Sequence, residues 1–263
     1  MENRSPVRNT KQRGSHPDKA EKPKNEQILR LNRFIANSGV CSRREADELI
    51  TRGSVSVNGK VVTSLGTKVS VTDDIRYKGK KLKAEKKVYI LMNKPKGYVT
   101  TVEDPHADHT VMELIGDMCP ERVYPVGRLD KSTTGVLLLT NDGELTGKLI
   151  HPKYQRSKIY HVFLDNPVVK NDLSRLIEGI DLEGEMVVAD SVSYADPEDK
   201  TQIGIELHSG QNRVVRRLFE KLGYKVKKLD RVYFAGLTKK NLPRGKWRYL
   251  SEKEISMLKR GIF

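Results

Sequence analysis

The 263-residue sequence predicts an α+β fold, because strand patterns and amphipathic helix patterns alternate along most of the chain. Two short apolar runs, at residues 88–92 and 136–139, end in turn-forming residues and have the length of buried strands. Apolar residues at helical spacing occur within residues 31–50 and again at 214–222. A chain of this length holds one large domain or two modest ones.

Residues 1–27 are predicted to form a disordered basic tail. They hold 7 Lys and Arg against 4 Asp and Glu, among Pro, Ser, Asn and Gly, with few apolar side chains. Such a segment buries too little apolar surface to offset the loss of chain entropy that ordering would require.

Two short helices and a hairpin are predicted next. Residues 28–52 carry the helical spacing, and Ser42 and Glu45 are placed as a capping box for the second helix. Residues 55–62 contain an Asn-Gly pair between two apolar runs, which predicts a hairpin with a type I′ turn.

The net charge of +15 is concentrated in this region. Residues 28–87 hold 14 Lys and Arg against 6 Asp and Glu, an excess of +8 and more than half of the total. Such a concentration favours a polyanionic partner, and nucleic acid is the expected one. Arg43 and Arg44 begin the second helix, where free backbone N–H groups also favour a phosphate. Exposed arginines on a solvated helix face are the alternative.

A second domain is predicted to begin at residue 88, where an apolar strand is followed by a basic Lys-Pro-x-Gly turn. Further along, a polar loop brings Asp130, with a cation on each side, to the start of the apolar run 136–139. A carboxylate beside a buried strand and near cations suits covalent or general-base chemistry. An Asp in front of Ser and Thr is also a common turn former or helix cap.

The rest of the chain alternates between the two kinds of pattern. Helices are predicted at residues 144–150, 168–177, 214–222 and after Ser251. Strands are predicted at residues 158–163, within 186–208, at 229–234 and after residue 247. Three arginines cluster at the start of the third of these helices, namely Arg213, Arg216 and Arg217.

The N-terminal region resembles the S4 RNA-binding domain. The order of helix, capped helix and hairpin is typical of that domain, and the stretch Gly39-Val40-Cys41-Ser42-Arg43-Arg44-Glu45-Ala46 is similar to its most recognisable part. The resemblance implies an RNA-binding module at residues 28–87.

The C-terminal region resembles the pseudouridine synthases, and among them the RsuA/RluB type that modifies bacterial ribosomal RNA. The long catalytic motif of that family is similar to Gly127-Arg128-Leu129-Asp130, followed by Thr133, Gly135, the leucine run and Thr140-Asn141-Asp142-Gly143. The Lys-Pro-x-Gly turn at residues 94–97 resembles the first motif, and residues 209–218 resemble the third.

The resemblance implies that residues 88–263 form a catalytic domain with a mixed, mainly antiparallel sheet and flanking helices. It implies Asp130 as the catalytic carboxylate, Tyr160 as the family's aromatic residue and Arg216 as the arginine that pairs with Asp130. The residues expected to contact the substrate or RNA are Arg43, Arg44, Lys94, Arg128, Asn212, Arg213 and Arg217. Gln211 and Val214 depart from the third motif, in which a basic residue and Gln are usual.

The reaction that the resemblance implies breaks the bond between ribose C1′ and uracil N1 and rejoins the base through C5, so neither a cofactor nor a metal is expected. The target uridine must be flipped into a pocket. Because burial under the base disfavours an ionised carboxylate, Arg216 is expected to keep Asp130 charged. Tyr160 is expected to stack on the base and to present its hydroxyl near C5.

Ribosomal RNA is the expected partner, with 23S rRNA favoured over 16S rRNA, either free or within a ribosome-assembly intermediate. Two other classes are weighed against this, a catalytically inactive RNA-binding assembly factor on the same scaffold and a hydrolase with an S4 module. Cys41 and Cys119 lack metal-ligand spacing, and no apolar run reaches the length of a membrane span. A monomer in the cytoplasm is expected.

Overall fold

The structure is a computed structural model that describes residues 28–262, and within this range the chain forms two compact units. The smaller unit contains residues 28–35 and 43–82, and the larger unit contains residues 36–42 and 83–262. The tail predicted at residues 1–27 lies outside the described residues.

The N-terminal part of the described chain has two helices and six short strands. Their bounds are β1 (Ile28–Arg30), α1 (Leu31–Asn37), α2 (Arg43–Thr51), β2 (Val55–Val57), β3 (Lys60–Val61), β4 (Lys68–Ser70), β5 (Ile75–Tyr77) and β6 (Lys80–Lys81). The strands form an antiparallel sheet in the order β3-β2-β5-β6, and β1 pairs with β4.

Two predictions for this part have different outcomes. The hairpin is confirmed, because Asn58 and Gly59 both adopt positive φ values, 51° and 80°, as a type I′ turn requires. The predicted helix start at residue 28 is wrong by three residues. Residues 28–30 form β1 instead, since their backbone pairs with β4, a partner that local helical spacing does not reveal.

The C-terminal part has eleven strands and four helices. Their bounds are β7 (Tyr89–Lys94), β8 (Tyr124–Pro125), β9 (Thr134–Thr140), α3 (Gly143–Ile150), β10 (Lys158–Leu164), α4 (Lys170–Glu178), β11 (Ile180–Leu182), β12 (Glu185–Val187), β13 (Ser191–Tyr194), β14 (Gln202–Leu207), α5 (Val214–Lys221), β15 (Val226–Phe234), β16 (Leu237–Thr238), β17 (Trp247–Tyr249) and α6 (Glu252–Arg260). The counts refer to the described residues.

Nine of these strands form one sheet in the order β13-β14-β10-β15-β9-β7-β17, with β16 on β15 and β8 on β9. Among the described strands, only β9 and β15 run parallel to each other within this sheet. The predicted α+β fold with a mixed, mainly antiparallel sheet is therefore confirmed.

Strand β9 is buried on both faces, which explains its unbroken apolar sequence. Val136 and Leu138 pack in a cluster that includes residues of α3 and α6. Leu137 and Leu139 pack on the opposite side, in a cluster that includes apolar residues of the segment 111–129. The strand is thus a fixed support for the loop that precedes it.

The parallel contact between β9 and β15 depends on a glycine. Gly135 has a φ of 107°, and a Cβ atom at this position would lie 2.0 Å from the backbone oxygen of Arg231. Because β10 pairs with the other edge of β15, the sheet order places β15 between the strand that follows Asp130 and the strand that carries Tyr160.

Candidate active site

The loop that carries Asp130 is fixed by the strand and turn before it. Thr100 Oγ1 donates to the backbone oxygen of Leu129 at 2.7 Å, and the backbone N–H of Leu129 donates back to the same hydroxyl at 3.2 Å. The N–H of Gly97 donates to the backbone oxygen of Lys131 at 2.8 Å. These hydrogen bonds are made at the residues directly before and after Asp130. They therefore fix the backbone that carries the carboxylate.

Lys94 reinforces the same loop from inside the protein. Its side chain is fully buried, and Nζ donates to the backbone oxygens of Asp130 at 3.0 Å and Thr133 at 2.8 Å, with longer contacts to those of Pro95 and Lys131. Burial lowers the pKa of Lys94 to about 8, and the charge of Asp130 opposes this shift. The expectation that Lys94 contacts RNA needs correction, because its ammonium is enclosed and its donors are occupied by the loop.

The predicted partners Asp130 and Arg216 lie next to each other. Arg216 Nε is 3.9 Å from Asp130 Oδ2, and Arg213 Nη1 is 3.7 Å from the same oxygen. The carboxylate is one-third exposed, whereas the Arg216 side chain is only 9% exposed. Two guanidinium groups therefore flank a carboxylate that stays accessible from solvent.

The guanidinium group of Arg216 is also held by two hydrogen bonds to groups other than Asp130. Nη1 donates to the backbone oxygen of Val226 at 3.1 Å, and Nη2 donates to Ser132 Oγ at 3.1 Å. Nε, the atom nearest to Asp130, is buried and has no hydrogen-bond partner. Burial lowers the pKa of Arg216, and the charge of Arg213 adds to the shift while that of Asp130 opposes it. The free N–H is positioned to act on the carboxylate.

Tyr160 borders the same space as Asp130. Both side chains line one cavity, together with Arg128, Leu129, Thr133, Gln211, Arg213, Val214, Val215 and Leu229. We call this space the Asp130 cavity. It combines a carboxylate, an aromatic ring and guanidinium groups with an apolar floor, which suits a planar polar ring such as a nucleobase.

The other residues predicted to contact RNA in this domain differ in whether their side chains are accessible. Arg128 is exposed at the cavity, and Asn212 is exposed in the loop before α5. Arg217 points to protein groups instead, since Nη2 is 3.2 Å from Glu183 Oε2 and Nη1 donates to Gln211 Oε1 at 3.4 Å. The two departures from the third motif, Gln211 and Val214, both line the Asp130 cavity.

Arg43 and Arg44 are exposed at the start of α2, in the smaller unit. The inward side chains of α1 and α2 are apolar and buried, namely Leu31, Phe34, Ile35, Ala46 and Ile50. The two arginines are thus presented to solvent on a packed helix.

The histidines and carboxylates between residues 28 and 262 form no cluster of three or more that could hold a metal ion. His109, whose spacing from His106 is ligand-like, pairs with Glu113 through Nδ1 at 2.9 Å. Within the same range no helix has both the length and the apolar character needed to cross a membrane.

Known families match both regions of the chain. The model of the S4 domain matches residues 29–75, and the model of RNA pseudouridylate synthases matches residues 88–221, which include Asp130, Tyr160 and Arg216. This chain belongs to the RNA pseudouridylate synthase family. It is a pseudouridine synthase with an N-terminal S4 domain, and the predicted likeness to the RsuA/RluB type is confirmed.

Relatives resemble the synthase over most of its length. Ribosomal large subunit pseudouridine synthase B of Bacillus subtilis is 42% identical over 233 residues, which cover 88% of this chain and 95% of the relative. The dual-specificity RNA pseudouridine synthase RluF of Escherichia coli is 36% identical over 230 residues, which cover 86% and 77%. A crystal structure described as a pseudouridylate synthase superimposes with a TM-score of 0.64 at 31% identity and covers 88% of this chain and 99% of that chain.

Three residues of the synthase site were not predicted from the sequence. Thr100 holds the Asp130 loop, Ser132 holds Arg216, and Arg231 is the cross-strand partner of Tyr160. Thr and Ser in loops are too common to signal such a role. Arg231 could have been noticed in the sequence, because it lies within a predicted strand and a charged side chain is rarely buried without a reason.

The buried amine of Lys94 predicts a pH-dependent stability. A lysine of the unfolded chain titrates near 10.5, whereas Lys94 in the folded protein titrates at about 8. Between these pH values the unfolded chain binds a proton that the folded protein has released, so stability rises with pH, by up to about 3 kcal/mol. Urea unfolding from about pH 7 to pH 11 should show the stability of the wild type rising by this amount relative to that of Lys94→Met, because the buried Lys158, whose pKa is also lowered to about 8, titrates in both proteins.

The matched control is Lys148→Met, since Lys148 is exposed on α3 and pairs with Glu144. Its difference from wild type should stay constant over the same pH range. A constant difference for Lys94→Met as well would show that Lys94 is not buried as an amine of lowered pKa.

Proposed function

We propose that this synthase isomerises specific uridines of ribosomal RNA to pseudouridine, with Asp130, Tyr160 and Arg216 as the residues that carry the chemistry. The observation that supports this most strongly is the Asp130 cavity itself. An accessible carboxylate and the Tyr160 ring line it, and two guanidinium groups, those of Arg213 and Arg216, lie within 4 Å of that carboxylate.

The proposed chemistry follows from these groups. The target uridine is flipped into the cavity, where its base lies against Tyr160 and its ribose faces Asp130. The C1′–N1 bond breaks, the base turns, and a C1′–C5 bond forms; C5 loses its proton and N1 gains one. The arriving base displaces water from the carboxylate, so Arg216 and Arg213 are needed to keep Asp130 anionic.

Ribosomal RNA is proposed as the substrate because of the relatives and the charge. The Bacillus subtilis relative is named for the large ribosomal subunit, and the exposed arginines of α2 lie in a strongly basic region. We favour 23S rRNA, with 16S rRNA as the alternative, acting as free RNA or in an assembly intermediate. We place the synthase in the cytoplasm as a monomer.

We further propose that residues 28–87 serve as an RNA-binding domain and residues 88–263 as the catalytic domain. Arg43 and Arg44 then contact phosphates. The double variant Arg43→Ala/Arg44→Ala should bind rRNA more weakly, and its plot of log affinity against log salt should be shallower by about 0.7–0.9 per lost contact. Binding titrations at several salt concentrations measure this slope. Arg175→Ala, a control on α4, should keep the wild-type slope; an unchanged slope for the double variant would contradict the phosphate role.

Tritium release tests the proposed reaction. RNA that carries 5-tritiated uridine loses tritium to water only when C5 forms the new glycosidic bond. Incubation with 23S and 16S transcripts should give release from one of them, with 23S rRNA expected. Tight rRNA binding without release from either transcript, or from assembly intermediates, would leave the inactive RNA-binding factor as the better account.

A further inference from the structure

Arg231 is a buried cation without a matching anion. It is 3% exposed, and no carboxylate within residues 28–262 forms an ion pair with it. Nε donates to the backbone oxygen of Val136 at 2.9 Å, while Nη2 is buried and has no hydrogen-bond partner. Because removing a charge from water is costly, such a group is expected to serve a purpose other than stability.

The sheet places Arg231 between the strand that follows the Asp130 loop and the strand that carries Tyr160. On one side, β15 pairs with β9 at Arg231 and Gly135, just after the Asp130 loop. On the other side, Arg231 is the direct partner of Tyr160 in the β10–β15 ladder. The register of that ladder shifts between Ile159 and Tyr160, and such a bulge redirects the side chains beside it.

The side chains of Tyr160 and Arg231 lie on the same face of the sheet, because directly opposed residues of an antiparallel pair do so. Burial lowers the pKa of Arg231. Both side chains also line a second cavity, which shares four lining residues with the Asp130 cavity, namely Arg128, Tyr160, Gln211 and Val214. Tyr160 therefore stands between two adjoining spaces, with Arg231 on the side away from Asp130.

We propose that Arg231 is a positioning residue for Tyr160. Its guanidinium holds the phenol hydroxyl in the orientation that the flipped base requires and places a fixed positive charge behind it. When the C1′–N1 bond breaks, negative charge develops on the detached base, and a cation that is already oriented stabilises this charge without reorganisation. The inference rests on the proposed role of Tyr160 in the reaction.

A double-mutant cycle tests this coupling. Arg231→Met, Tyr160→Phe and the double variant are compared with wild type by single-turnover tritium release, rRNA affinity and thermal melting. Each single variant should lose about 10²-fold in rate, since a small misplacement of a reacting group costs that much, and should keep its rRNA affinity. Because Arg231 acts through the hydroxyl, the double variant should be no slower than Tyr160→Phe alone.

Two further variants separate positioning from folding. Arg231→Lys keeps the charge but not the planar fork, so it should fold and recover part of the rate lost in Arg231→Met. Arg248→Met removes a half-buried arginine that is paired with Glu254, away from both cavities, and should lower the melting temperature without changing the rate. The opposite pattern is expected for Arg231→Met, a loss of rate with little change in melting temperature.

Several outcomes would overturn the proposal. Losses that multiply in the double variant would show that Arg231 acts independently of Tyr160. A wild-type rate for Arg231→Met, or for Arg231→Lys if the Met variant does not fold, would remove Arg231 from the site. A wild-type rate for Tyr160→Phe, with Asp130→Asn inactive, would instead remove the Tyr160 hydroxyl from the proposed function and leave Arg231 with nothing to position.

Discussion

Asp130→Asn is expected to abolish pseudouridine formation while RNA binding is retained. The amide has the size of the carboxylate and can keep the loop contacts, all of which are made by backbone atoms at this residue. It carries no negative charge, so it can neither act on the ribose nor balance Arg213 and Arg216. We expect a loss of tritium release on the order of 10⁴-fold or more, the scale seen when a reacting group is removed.

The control for this variant is Asp108→Asn. Asp108 is 79% exposed and pairs with Lys131, next to the same loop, so its replacement changes a charge nearby without touching the cavity. It should retain the wild-type rate. Tritium release by Asp130→Asn within about 10-fold of wild type would refute the role of Asp130, because loss of a reacting carboxylate costs far more than that.

Gly135→Ala is expected to disrupt the catalytic domain. The added Cβ would lie 2.0 Å from the backbone oxygen of Arg231 and 2.5 Å from Asp230 Oδ1, and the residue needs a φ of 107°, which alanine rarely adopts. The first neighbour cannot move easily because it is backbone of the central strand β15, and the second belongs to a carboxylate that is paired with Lys239 and Arg244. We expect destabilisation of more than about 4 kcal/mol, measured by urea unfolding, or a failure to fold.

Gly147→Ala is the matched control. Gly147 lies within α3, and a Cβ there meets no atom within 4 Å. The substitution should stabilise the protein by about 0.4–1 kcal/mol, because it lowers the entropy of the unfolded chain. Native stability in Gly135→Ala would mean that the parallel contact between β9 and β15 does not form as described.

Elements with a clear local pattern were predictable from the sequence. The run Val136–Leu139 indicated a buried strand, and the cluster of apolar residues after Arg213 indicated α5; both are confirmed. The capping box at Ser251 and Glu254 is present as predicted. In each case a few neighbouring residues determine the structure, so the sequence window contains the necessary information.

Contacts between distant segments were not predictable in the same way. Lys94 was expected to contact RNA because a lysine in a basic turn is usually exposed. Its side chain is instead buried beneath the Asp130 loop and donates hydrogen bonds to the backbone oxygens of that loop. The position of Arg231 depends on the β10–β15 register and its bulge, which no local pattern encodes. The proximity of Asp130 and Arg216 was inferred from a family resemblance, since residue spacing alone gives no distance.

A structure of Asp130→Asn bound to a fragment of its rRNA target would show whether the side chain at position 130 faces the ribose of a flipped uridine. We expect one uridine flipped out of the RNA, its base against Tyr160 and its ribose C1′ within about 3–3.5 Å of the residue 130 side chain, the separation of reacting atoms in a productive complex. RNA bound with every base outside the Asp130 cavity, or a flipped uridine whose ribose points away from residue 130, would contradict this expectation.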